Sequence, residues 1–128
     1  MKVLMVEPGK IPHEADIEPG LRSLQAAVDG LIQAVYPYED PVALICNEEG
    51  KFLGLPLNRA LPEIGDAIAG DFLLCGLCDT EDGGSLCSLP PEQMSYMKQH
   101  FREPHFFIES AEGNDYFRVT PKVYDNLM

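Results

Sequence analysis

Positive charge is scarce in this chain. Only 9 of its 128 residues are Lys or Arg, against 21 Asp and Glu, so the formal charge at pH 7 is −12. Nucleic acid and anionic membranes are held by clustered Lys and Arg, and the composition argues against both as partners. Trp is absent, which removes the most common interface anchor, although 6 Phe and 5 Tyr remain. No apolar run approaches the length that spans a bilayer. The opening MKVLMVEPGK is too short an apolar stretch for a signal peptide, and Glu7 and Pro8 end it. The expectation is a cytoplasmic protein.

Catalytic signatures are lacking too. There is no H-E-x-x-H, no phosphate-binding Walker loop and no dinucleotide fingerprint. GGSLC at 83–87 does not match the G-x-S-x-G nucleophile elbow. The 3 His residues, His13, His100 and His105, lie in separate segments. With 21 carboxylates, close acid pairs arise by chance and carry no signal. The reading is a binding protein rather than an enzyme, with no catalytic residues and no cofactor.

Four cysteines do not make a disulfide framework at this length. Cys46, Cys75, Cys78 and Cys87 are expected as reduced thiols. Cys75-x2-Cys78 has zinc-ligand spacing, yet the next histidine lies too far downstream for the usual finger. Alternate side chains of a strand point apart, so the pair is read as ordinary strand and loop cysteines, with no metal.

What is present is a core. The chain is 45% apolar and 14.2 kDa, enough for one domain exposing roughly 6,800 Å². Lys2–Glu7 reads as a strand and Ile11–Ile17 as its return. Leu21, Leu24 and Val28 share a face at helical spacing over 21–29. Leu31–Tyr36 and Pro41–Asn47 read as a hairpin, with VALIC at 42–46 covered on both faces. Asn47–Gly50 is expected as a turn with Gly50 in the left-handed conformation, leading into a strand at 51–54. Leu55–Leu61 carries a proline and reads as irregular or edge-like. Ala67–Leu77 contains a central strand at Phe72–Cys75, and Asp79–Ser85 a surface loop. Pro90-Pro91-Glu92 opens a helix carrying Met94, Met97 and Phe101 inward, ended by Pro104. His105–Met128 reads as a hairpin about 111–115, then a loose tail over 121–128. The expected fold is α+β: a largely antiparallel sheet with two helices packed on one side, in a single domain.

Three stretches together resemble a known family. They are VLMVEPG near the start, AVYPYEDPVALICNEEGKFLGLPLNRAL followed by IAGDFLLCG in the middle, and LPPEQMSYMKQHFREP later. Their order resembles the domain-of-unknown-function family 3846, up to about Phe106. That resemblance implies a phage, mobile-element or bacterial context. It implies no activity and no catalytic residues.

Two polar features stand out. Asn58-Arg59 follows Pro56 within an apolar segment. An arginine in such a setting can orient a carboxylate or phosphate through paired hydrogen bonds, with Tyr36 and Tyr38 as aromatic walls. The alternative is an internal ion pair with Glu48 or Asp71. Separately, no Lys or Arg occurs from Ala60 to Met97, while seven acids do. Among them Glu81, Asp82 and Glu92 are candidates for contact with a partner. The expected function is therefore an accessory protein of a phage or mobile element. It would bind and inhibit a host defence protein of basic or mixed surface through acidic contacts. Alternatives are capture of a nucleotide-like or phosphorylated ligand, with an oligomer possible, and a zinc-stabilised interaction module.

Overall fold

The two strongest apolar runs, VALIC and FLLC, become adjacent strands at the centre of the sheet. The computed structural model describes residues 1–81 and 83–128. Strand β1 (Lys2–Val6) returns as β2 (His13–Asp16), and helix α1 (Leu21–Val28) follows. Strand β3 (Ile32–Val35) pairs with β4 (Val42–Asn47). Strands β5 (Leu57–Leu61) and β6 (Asp66–Ala69) form a separate ribbon. Strand β7 (Phe72–Thr80) turns into β8 (Gly83–Cys87), and helix α2 (Pro91–His100) follows. Strands β9 (His105–Ser110) and β10 (Gly113–Arg118) form a second ribbon, before helix α3 (Pro121–Leu127).

The main sheet has the order β2-β1-β7-β4-β3, with β8 also on β7, and every pairing is antiparallel. All six residues of β4 are buried, as VALIC implied. Strand period two sends Leu4, Val6, Leu44, Phe72 and Leu74 to one face, and Val3, Ala43, Ile45, Leu73 and Cys75 to the other. Both faces are apolar, so both need a cover. Leu24 and Val28 of α1 pack on the second face; Met94 and Met97 of α2, with Phe101, pack on the first.

That arrangement corrects the expected α+β fold with two helices on one side. The chain is mostly β, with ten strands and three α-helices among the described residues. Its two longer helices lie on opposite faces of the sheet. Leu21 also departs from its expected inward position and is 56% exposed.

Local readings change as well. Residues 51–54 form turns rather than a strand: Glu49 O accepts from Leu53 N, and Lys51 O from Gly54 N. The left-handed residue is Gly54, at φ 72°, and Gly50 is glycine for another reason. A Cβ there would stand 2.6 Å from the Ala69 carbonyl oxygen. The expected irregular segment 55–61 yields β5, and most of the expected loop 79–85 belongs to the β7–β8 hairpin.

The expected loose tail is α3. Thr120 caps it by accepting from Val123 N at 3.2 Å, and Pro121 occupies the first turn. Its Tyr124 is buried against Gly9, where a Cβ would lie 2.3 Å from the ring. The accessible surface is 7801 Å², above the roughly 6,800 Å² scaling value, because the β9–β10 ribbon is largely solvent-facing.

Candidate functional site

Arg59 lies inside the molecule, fully buried. Its Nε and Nη2 donate to Phe101 O at 3.2 and 2.9 Å. Nη2 also donates to Lys10 O at 2.7 Å, and Nη1 to Asn58 Oδ1 at 2.9 Å and Asn58 O at 3.3 Å. Phe101 is the C-terminal cap of α2, where helix carbonyls lack partners and the helix dipole is negative. Asn58 is buried too, and its Nδ2 donates to Val6 O and Gly70 O, both at 2.9 Å. The two side chains thus tie β5 to β1, to the turn before β7, and to the end of α2. Burial lowers the guanidinium to about 10, so it stays cationic at neutral pH.

This placement corrects both readings of Arg59. Its donors face carbonyl oxygens of the fold, and its acceptors include neither Glu48 nor Asp71. The expected aromatic walls stand elsewhere. Tyr36 is 58% exposed at the end of β3. Tyr38 is half-buried, edge-on to His100 at 5.6 Å, and its hydroxyl lacks a hydrogen-bond partner. Burial raises that phenol well above its ordinary range. Arg59, Asn58, Tyr36 and Tyr38 therefore do not converge on one site.

A groove that sequence reasoning missed lies between the two ribbons. It encloses about 590 Å³. Small residues of the β5–β6 ribbon, Ala60, Gly65 and Ala67, form its floor, and Phe107, Asn114 and Tyr116 of the β9–β10 ribbon form its roof. Tyr116 pairs with Phe107 across the hairpin and stacks on His105 at 4.5 Å. His105 Nδ1 accepts from Ala60 N at 2.9 Å and so pins the roof to the floor. Burial first, then the charges of Arg59, Arg118 and His100, push His105 down to about 4. At the mouth Lys51 pairs with Asp66, whose carboxyl that hydrogen bond holds below the usual range. Clustered aromatics in HFF and YFR, opposite the small residues of GDAIA, were the available signal.

The acidic candidates are dispersed. Glu81 is exposed at the turn between β7 and β8, and Glu92 is exposed in the first turn of α2. Asp82 lies outside the described residues. Residues 60–97 are free of bases in sequence, but not in space. Glu63 meets His100 Nε2 at 3.3 Å, and Asp66 meets Lys51.

The cysteine reading is corrected for two of the four. Cys78 and Cys87 form a disulfide across β7 and β8, with Cα atoms 6.1 Å apart. The register pairs Gly76 with Cys87 and Cys78 with Ser85, which sets the two cysteines diagonally on one face. Cys46 and Cys75 are buried free thiols, and burial pushes Cys75 up to about 11. With Cys78 bonded and Cys75 sealed in the α1-side core, the zinc module is withdrawn. No group of three or more metal-ligating side chains occurs among the described residues. Among the described residues, no helix is long and apolar enough to cross a membrane.

No curated protein and no solved structure matches the chain. A family model does match, over residues 1–102, which takes in the main sheet, the β5–β6 ribbon and α2 and leaves out β9, β10 and α3. The three stretches that carried the resemblance all begin within that range, and on this match the chain belongs to the family described as Domain of unknown function (DUF3846).

Proposed function

We propose that this chain is a non-enzymatic accessory protein of a phage or mobile element. In this reading it binds and inhibits a host defence protein of basic or mixed surface through its acidic exterior. One observation carries the reading: every described carboxylate except Glu7 and Asp71 is exposed, while the Arg59 charge is sealed inside. Exposed carboxylates therefore far outnumber exposed Lys and Arg among the described residues, and the surface carries the anionic excess of the sequence. Such a field steers association with a basic partner and weakens with salt. The test is capture of host proteins at low salt, followed by binding kinetics with the purified partner. Glu81→Lys with Glu92→Lys should slow association and flatten its salt dependence. An unchanged rate and slope would remove these residues from the interface.

A second reading, capture of a nucleotide-like or phosphorylated ligand, is favoured by the groove. Its volume lies in the range of small-molecule sites, and it combines an aromatic roof with Lys51. Native mass spectrometry after incubation in bacterial lysate would reveal a retained ligand. Tyr116→Ala should then lose it.

The cytoplasm is part of the first reading, and the disulfide offers its check. Glutathione keeps most cytosolic thiols reduced. Alkylation of protein taken directly from the bacterial cytoplasm should find Cys78 and Cys87 at least partly free. A fully bonded pair would move the protein to an oxidising compartment.

A further inference from the structure

The main sheet ends in two edges of opposite character. At one end, β2 carries His13, Glu14 and Asp16, charges that discourage pairing with another strand. At the other end, β3 reads IQAV, with no charge at all. Leu31 O accepts from Glu48 N at 2.8 Å, which marks Leu31–Glu48 as a hydrogen-bonded pair of the antiparallel ladder. Bonded and non-bonded pairs alternate, so Gln33 and Val35 also face β4, while Ile32 and Ala34 turn their N–H and C=O groups outward. Among the described residues, no strand lies beyond them.

This bare edge sits in an acidic frame. No Lys or Arg occurs from Ser23 to Gly50. Asp29, Glu48 and Glu49 lie at the Leu31 end of β3, and Glu39 and Asp40 beyond its other end. All five are exposed, and none forms an ion pair with a described residue. A second copy pairing here about a two-fold axis would set one acidic end against the other, which opposes dimerisation.

We propose that β3 is a docking edge for an extended segment of a partner protein, apolar or β-branched in the middle and carrying Lys or Arg at both ends. Main-chain bonds to Ile32 and Ala34 would add the segment to the sheet, and the five acids would hold its ends. Leu31 and Tyr36, each more than half exposed, flank the strand as apolar contacts. The inference rests on the reading of the chain as a binder of basic partners, and supplies the contact that reading lacks.

The test uses the full chain and a synthetic peptide, Lys-Lys-Thr-Val-Thr-Val-Lys-Lys, with a Glu-ended peptide as control. The Lys-ended peptide should bind at low salt and slow amide exchange at Ile32 and Ala34. Ala34→Pro removes an outward N–H that no ladder bond uses, and should weaken binding about tenfold or more. Glu39→Lys with Asp40→Lys touches no ladder position. It should weaken binding to a similar extent and reduce the salt dependence, which keeps the test intact if Ala34→Pro misfolds. Peptide binding that protects other amides would overturn the docking edge and leave the acidic-surface reading standing. Protection of Ile32 and Ala34 by raised protein concentration alone would give the edge to a second copy, and the proposal would fail. No peptide binding at low salt, alongside a host partner sensitive to Glu81 and Glu92, would also sink the edge alone.

Discussion

Arg59 and Lys51 belong to the same arm of the chain and meet opposite surroundings. Arg59 is fully buried and donates only to carbonyl oxygens, of which Phe101 O, Lys10 O and Asn58 O are main-chain. Lys51 is exposed, and among the described residues its ion-pair partner is the exposed carboxylate of Asp66. The buried cation has no counter-ion among the described residues, yet neutral dipoles satisfy it because they converge from three separate parts of the fold. The surface cation has a counter-ion, yet water screens the pair. A formal ion pair is thus the weaker device here, and a motif that looks like a ligand site is the stronger piece of architecture.

The comparison is broken most directly at Arg59. Arg59→Ala should cost about 3 kcal/mol or more, since it leaves buried carbonyls unpaired and a cavity in place of the guanidinium. Chemical denaturation reads the loss. Arg59→Lys should recover only part of it, because one ammonium cannot reach the same set of acceptors. An unchanged midpoint would return Arg59 to the list of ligand residues.

A covalent tie comes next. Cys78 and Cys87 are separated by nine positions, and chain entropy assigns such a closed loop about 2.5 kcal/mol. Reduction, or Ser at both positions, should lower the melting temperature and loosen β8 before the central strands. Amide exchange along 83–87 distinguishes that order from uniform loss.

His105 lies between the two extremes, half-buried and hydrogen-bonded through a neutral nitrogen. Its ordinary value of 6.5 falls to about 4 in the fold. The unfolded chain therefore takes up this proton first as pH falls. The His105 contribution is complete above pH 6.5 and is lost on the way down to about 4. His105→Gln should flatten that part of the stability profile, measured as melting temperature against pH.

The smallest effect is expected at the surface. Lys51→Ala should change stability by no more than about 0.5 kcal/mol, and added salt should erase the difference. A larger effect would mean that the pair shapes the groove mouth, and the contrast with Arg59 would narrow.

Much of the fold was legible locally. VALIC and FLLC announced central strands because continuous apolar runs suit burial on both faces, and Pro-Pro-Glu announced α2 through its first-turn chemistry. The same runs imply cover on both faces, which is why helices on one side could not suffice. The misread segments turn on strand pairing and packing. Residues 51–54 lack strand pairing partners, and 57–61 gain one in β6 despite Pro56. Residues 121–127 become a helix whose Tyr124 finds a notch at Gly9. Gly9 is remote from Tyr124 in sequence, whereas β6 begins five positions after β5 ends, so that pairing was masked by the proline signal rather than by distance.

The candidate sites divide along the same line. Composition alone made the surface anionic and left β3 without charge, because those are properties of residue type and spacing. The family was readable from the order of three blocks. Tertiary structure decided that Arg59 would be sealed, that Cys78 would bond Cys87, and that small residues of one ribbon would face aromatics of another to open a groove. Burial, pairing and convergence are properties of positions in space. A short sequence fixes a side chain's chemistry, while the neighbours that set its role arrive from residues far along the chain.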